Sequence, residues 1–266
     1  MPSEKLNCAL ITGASQGLGR AFAEICASQD MNLLLVALPG SGLPDLARSI
    51  TERNGVQAEW LEVDLMEDSA IEDMKRLILE SGLKPDLLIN NAGIGSMGLF
   101  QDLSREHSDS TIKLNAIALV RITRLFIEEC KGSRNAHILN VASLSAFFPM
   151  PSLSVYSATK SFVLNYSLAL REELSGRIRV SVLCPNAIRN TVAVCDYIDR
   201  LGLLPRLACL TPAYIVRAAL EGIQRDKAII IPGFFNRAVA VLRHVVPTKL
   251  AMRTIRHYWG GFGGVA

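Results

Sequence analysis

Tyr156 and Lys160 stand four residues apart in the stretch VYSATKSF, and Ser143 lies thirteen residues before the tyrosine. At that spacing on a helix the two side chains share a face, with Cβ atoms about 5–6 Å apart. A free phenol ionises near pH ~10 and is a poor base at neutral pH. A cation ~5 Å away at an effective dielectric of ~20 favours the phenolate by roughly 3 kcal/mol, or about two pKa units. The pair can therefore act as proton donor to a carbonyl or as base toward an alcohol. A serine hydroxyl nearby can hydrogen-bond the substrate oxygen. By itself YxxxK is a weak signal, because any exposed helix can carry a tyrosine and a lysine one turn apart.

The elements that must position these residues alternate along the chain. Apolar runs NCALITG, NLLLVAL, VQAEWLEVDL, DLLIN, AHILNVAS, IRVSVLCP and KAIIIPG read as seven strands. Helical patterns fall between them, including a long helix expected between about Arg105 and Lys131. The strand cores are continuous apolar runs, which strands covered on both faces require. Strands alternating with helices imply right-handed crossovers and an α/β, doubly wound parallel seven-stranded Rossmann-type sheet with helices on both faces. No repeat or low-complexity linker interrupts the 266 residues, and one domain over 1–266 is the economical reading.

The loop after the first strand, TGASQGLGR, holds Gly13, Gly17 and Gly19, with Ser15, Gln16 and Leu18 between them. Glycines there permit a tight turn and let a pyrophosphate approach backbone N–H groups at a helix N-terminus. The spacing departs from GxGxxG, so placement between strand and helix carries the weight. Asp64 follows the third strand and can accept from an adenine amino group. NNAG, with Asn91, Ala92 and Gly93, follows the fourth strand. Ligands of such sheets bind beyond the carboxyl ends of the strands.

Together, TGASQGLG, NNAG, Asn115 in KLN, Ser143 in NVAS and YSATK, in this order, resemble the short-chain dehydrogenase/reductase family over roughly residues 5 to 190. The resemblance implies a nicotinamide cofactor and hydride transfer between a carbonyl and an alcohol. It assigns Tyr156 as acid/base. It gives Lys160 the lowering of the phenol pKa and a hold on nicotinamide ribose hydroxyls. Ser143 orients the substrate oxygen, and Asn115 helps hold a water chain to Lys160. Asn91 to Gly93 line the cofactor, and Asp64 with Leu65 flank adenine. The loop after the sixth strand, with Asn186 and Ile188, faces nicotinamide. It departs from the family's Pro-Gly: CPNAIRNT places Asn186 at the glycine, and asparagine tolerates a left-handed backbone better than most residues.

The second strand ends VALPGSG, without the carboxylate of NAD sites or a nearby arginine of NADP sites. Loss of repulsion toward a 2′-phosphate leans toward NADP over NAD, with Ser41 or Arg48 as possible helpers. Residues 190–210 and LSAFFPMPSL are apolar and suggest a lipophilic carbonyl or alcohol substrate, with packing as the plainer reading. The tail 234–266 joins apolar residues to five cations. It suits packing or an oligomer seam, a homodimer or homotetramer, with peripheral membrane contact as the less expected role.

A net charge of +3 is too small to suggest nucleic acid, and no histidine spacing suggests a metal. No apolar run reaches a membrane span, and the first residues lack a signal-peptide pattern. Six scattered cysteines without CxxC fit reduced thiols in a cytoplasmic protein. Two other classes remain. A nucleotide sensor that kept the fold would not need the proton relay. A sugar-nucleotide epimerase shares YxxxK but usually needs a larger C-terminal lobe.

Overall fold

In the computed structural model, residues 6–95, 98–130, 135–186, 188, 208–242, 246 and 252 are described. Seven parallel strands form one sheet in the order β3-β2-β1-β4-β5-β6-β7. They are β1 (Cys8–Thr12), β2 (Asn32–Ala37), β3 (Ala58–Glu62), β4 (Leu87–Asn90), β5 (Ala136–Val141), β6 (Ile178–Leu183) and β7 (Ile229–Ile230). The order reverses between β1 and β4, which is where a doubly wound sheet opens a crevice.

Alternation along the strands explains their continuous apolar sequence. Ala9, Ile11, Leu33 and Leu35 face α1 (Gly17–Ala27), α2 (Leu43–Asn54) and α7 (Pro212–Gln224). Cys8, Leu10, Leu34 and Val36 face the other layer, which includes α3 (Ala70–Ser81), α5 (Leu119–Glu129) and α6 (Ser154–Glu173). Both sets are buried, so neither face could carry polar residues without unpaired groups.

Two expectations from the sequence need correction. The long helix over Arg105 to Lys131 is broken into α4 (Arg105–Ile112), a π-helical turn over Lys113–Ala118, and α5. Lys131 lies outside the described residues. A π turn accommodates an extra residue, and here it buries the Asn115 carboxamide among polar partners described below. The seventh strand is only two residues long; Pro232, two positions on, brings no N–H to a ladder. Most of the substrate-covering segment 190–210 and of the tail beyond α8 (Phe234–Leu242) also lies outside the described residues.

Candidate active site

The glycine loop rises from β1, and its shape is enforced by its neighbours. Gly13 and Gly17 have φ of 65° and 55°, a left-handed backbone that side chains disfavour. Gly19 has a different constraint: a Cβ there would collide with the Gly13 carbonyl oxygen and come within 2.6 Å of Asn91 Nδ2. Gln16 caps α1 in an extended conformation without a side-chain cap bond, so the helix N-terminus is not closed by its own side chain. Ser15 is partly buried and Gln16 exposed on this loop. Leu18 turns into the core with Phe22, so only its backbone can serve a ligand.

Thr12, which drew no attention in the sequence, clips this loop to the end of β4. Its Oγ1 accepts from Asn91 N at 3.0 Å and Ala92 N at 3.1 Å. The Asn91 amide donates to Thr12 O at 2.9 Å and Gly13 O at 3.1 Å. The Asn91 side chain thus shapes the glycine loop. Asn90 is buried, donating to Thr123 Oγ1 and Asn140 Oδ1, each at 2.9 Å.

Asn115 closes the same region from the π turn. It accepts from Ile94 N and donates to Ile94 O, both at 2.9 Å, and donates to Thr159 Oγ1 at 3.1 Å. A Cβ on Gly93 would stand 3.0 Å from Asn115 Oδ1 and 3.3 Å from Lys160 Nζ. The absent side chain at Gly93 is therefore what lets β4, Asn115 and Lys160 meet.

Ser143 follows β5, while Tyr156 and Lys160 occupy the first turns of α6. The Ser143 hydroxyl accepts from Ser145 N at 3.2 Å and lies near enough to the Tyr156 phenol to favour its ionised form. Lys160 is buried, donates to the Val141 carbonyl at 2.9 Å, and sets its Nζ 5.7 Å from the centre of the Tyr156 ring. Tyr156 stays partly accessible.

The expected lowering of the phenol by Lys160 is not what governs it here. Burial raises the Tyr156 pKa above the ordinary phenol value, and the Ser143 hydroxyl pulls it back in part. Burial likewise lowers the Lys160 ammonium to about 8, partly opposed by the neighbouring Cys184. The phenol is held protonated, the form that can donate to a carbonyl oxygen.

At the adenine end, Asp64 lies beyond β3 and its Oδ1 accepts from Met66 N at 2.9 Å. Leu65 is 7% exposed and belongs to the core, so its side chain is not free to flank a base. Arg48 is exposed and paired with Asp45. The loop after β2 has a carboxylate the sequence reading passed over: Glu62, in register with Ala37, accepts from Ser41 N at 3.2 Å. Beyond β6, Asn186 donates to Asn236 Oδ1 at 3.1 Å, and Ile188 forms a parallel bridge with Leu210. Asn186 does not use a left-handed backbone; among the described non-glycine residues, positive φ occurs at Asp30, Ser152 and Asp226.

A glycine-lined, uncapped helix start beside a Ser–Tyr–Lys cluster is the arrangement a Rossmann-type sheet presents at the carboxyl ends of its strands. The short chain dehydrogenase family model matches residues 7–197, and the chain belongs to this family. It is 34% identical over 224 residues to a very-long-chain 3-oxoacyl-CoA reductase of Pyrenophora tritici-repentis, covering 82% of this chain and 63% of that one. It is 30% identical to human 17-beta-hydroxysteroid dehydrogenase type 3, covering 72% of this chain and 61% of the relative. The chain thus spans about three-fifths of the length of these curated relatives. A solved short-chain dehydrogenase from Sphingobium yanoikuyae in complex with NADPH aligns with a TM-score of 0.74 at 31% identity, over 98% of this chain and 97% of that one.

Proposed function

We propose that this protein is an NAD(P)-dependent oxidoreductase acting between a carbonyl and an alcohol, with Tyr156 as acid/base. The convergence of the Ser143 hydroxyl, the Tyr156 phenol and the Lys160 ammonium in one crevice carries the reading. The residues fit a dinucleotide: Gly13 and Gly19 let the loop close tightly against Asn91, Gly17 leaves open space at the helix start, and α1 offers its N-terminus. Asp64 and the backbone at Leu65 would hold the adenine, and Gly93 and Lys160 the nicotinamide ribose. When bound, the nicotinamide supplies or accepts the hydride.

The chain's own residues handle the proton. Ser143 directs its hydroxyl at the substrate oxygen, and Tyr156 gives that oxygen its proton as a carbonyl becomes an alcohol. In the reverse direction the phenol takes the proton back. With a pKa of about 8, Lys160 is still mostly an ammonium at neutral pH, and the phosphates of a bound dinucleotide would favour that charged form beside the phenol. Asn115, locked to Ile94 and Thr159, holds the wall through which Lys160 is reached.

A lipophilic substrate is supported by the names of the relatives, an acyl-CoA reductase and a steroid dehydrogenase. Phe147 contributes less than its sequence position suggests. It packs on the cluster of Ala142, Val163 and Val182 and lines a cavity of about 470 Å³ at the β7 edge. The missing acid at the end of β2 and the NADPH complex of the Sphingobium relative favour NADP; Glu62, held to Ser41, is the feature that opposes it. Cys8, Cys26, Cys130 and Cys184 are buried thiols, in keeping with a reducing cytoplasm. Among the described residues no helix is long and apolar enough to cross a membrane. A homo-oligomer is the companion expectation, and peripheral membrane contact is the lesser role kept for the tail.

A panel of ketones and alcohols followed by NAD(P)H absorbance tests the function. Turnover of an apolar ketone with NADPH supports it, and cofactor binding without turnover of any member favours a nucleotide sensor. A hundredfold preference for NADH would remove the NADP assignment.

A further inference from the structure

Asn236 is the third residue of a helix that is otherwise largely exposed, with Phe234 86% and Val241 63% accessible, yet it is itself 1% exposed. Its carboxamide is fully used. Nδ2 donates to Ala208 O at 3.0 Å and to Pro232 O at 2.9 Å, and Oδ1 accepts from Asn186 Nδ2 at 3.1 Å. One side chain therefore ties together the loop after β6, the chain entering α7, and the turn after β7.

The ties continue toward the catalytic serine. Pro185, next to Asn186, accepts from Leu144 N at 2.7 Å, and Leu144 follows Ser143. Ile188 and Leu210 bridge on the other side of the same junction. Gly233, with φ of 83°, keeps the junction tight, since a Cβ there would lie 3.1 Å from Leu210 and 3.4 Å from Asn236 Nδ2. A helix that only needed anchoring could bury a leucine at this position. Two donors aimed at carbonyls and one acceptor aimed at Asn186 are what an asparagine adds.

We infer that Asn236 is a positioning residue for the reaction: through Asn186 it sets Pro185 and Asn186, where the chain leaves β6, against the nicotinamide end of the crevice and links them to α8. This rests on the oxidoreductase reading for its turnover arm, but has a binding arm that does not. The asparagine at 186 is then retained for its side chain, in place of a backbone freedom the structure does not use.

The test takes the full-length protein, with Asn186→Ala, Asn236→Ala and the double variant. Acting through one another, the two positions are non-additive: each single variant lowers kcat about 10-fold, and the double variant matches the worse single within about 2-fold. Affinity for NADP⁺ weakens about 10-fold, while ADP-ribose 2′-phosphate, which lacks the nicotinamide, binds within about 2-fold of wild type. Asn236→Ser serves if the alanine variant does not fold. Losses that multiply to about 100-fold, or a lower Tm with unchanged kcat, KM and NADP⁺ affinity, overturn the inference. If the wild type turns over no carbonyl at all, the oxidoreductase reading fails, and the contrast between the two ligands still decides the role of Asn236.

Discussion

Strands β5 and β6 carry a buried polar cluster at each end, and only one of them opens to a crevice. At the carboxyl end, Lys160 donates to Val141 O beside Tyr156, Ser143 and the bare backbone of Gly93. At the amino end, His137 is fully buried, with Nε2 2.9 Å from Ser181 Oγ, while Ser181 donates to Lys227 O at 2.6 Å. Burial lowers both groups, Lys160 to about 8 and His137 to about 3. The displaced titration is thus common to both ends. What separates them is that the first holds a partly accessible proton donor near an exposed glycine and the second is closed on itself. A perturbed pKa identifies chemistry only where such a donor and such exposure accompany it.

The largest expected break in this comparison comes at the open end. Tyr156→Phe removes the proton donor and is expected to lower kcat by about 10³-fold, near the middle of the range for acid–base groups, with cofactor affinity retained in a fluorescence titration. Lys160→Met is expected to lower kcat about 10²-fold and, unlike the tyrosine variant, to weaken cofactor binding as well, because the ribose contact goes with the charge. Gly19→Ala forces a methyl against the Gly13 carbonyl. About 1–3 kcal/mol of stability should be lost in denaturant unfolding, together with most cofactor affinity.

Two smaller effects sharpen the contrast. Thr12→Val leaves Asn91 N and Ala92 N without their shared acceptor and should cost about 1–3 kcal/mol in the same assay. At the closed end, the Ser181 hydroxyl gives its proton to Lys227 O, so His137 bears its own on Nε2 and Nδ1 has no partner among the described residues. Protonating Nδ1 would bury an unmatched donor. The folded value of about 3 lies below the ordinary 6.5, so the unfolded chain binds the extra proton more readily. The stabilising effect of neutral His137 is complete above about pH 6.5 and is lost progressively toward about pH 3. Tm should fall between pH 6.5 and 4.5, and His137→Gln should flatten that slope without altering the pH dependence of kcat.

Much of the fold was legible because burial writes itself into sequence. Strands covered on both faces must be largely apolar, and β1, β2, β4 and β5 are, with their few polar residues, such as Asn90, His137 and Asn140, buried among hydrogen-bond partners. The Tyr156 and Lys160 positions were legible because helix spacing fixes which side chains share a face, and Ser143 because it ends a strand whose carboxyl end meets that helix. The break at Lys113–Ala118 was not, since it accompanies bonds from Asn115 to Ile94 and Thr159 that no local pattern records. Spacing also placed Asn91 at the cofactor without showing that its amide is occupied in shaping the glycine loop. Leu65 shows a related limit: a position expected beside a ligand does not say which way its side chain turns, and here the side chain joins the core. Thr12 and Asn236 gave no signal, because a lone threonine or asparagine acquires its role from tertiary partners.

The most direct test of proton transfer from Tyr156 beside a bound dinucleotide is isotopic. Wild type and Tyr156→Phe are each incubated with NAD(P)H deuterated at nicotinamide C4 and with an apolar ketone, and the alcohol is examined by mass spectrometry and NMR. We expect deuterium on the carbinol carbon with wild type and almost none with Tyr156→Phe, at equal cofactor occupancy. Transfer by the phenylalanine variant at the wild-type rate, or alcohol formed by wild type without the label when both deuterated C4 positions have been tried, would contradict it.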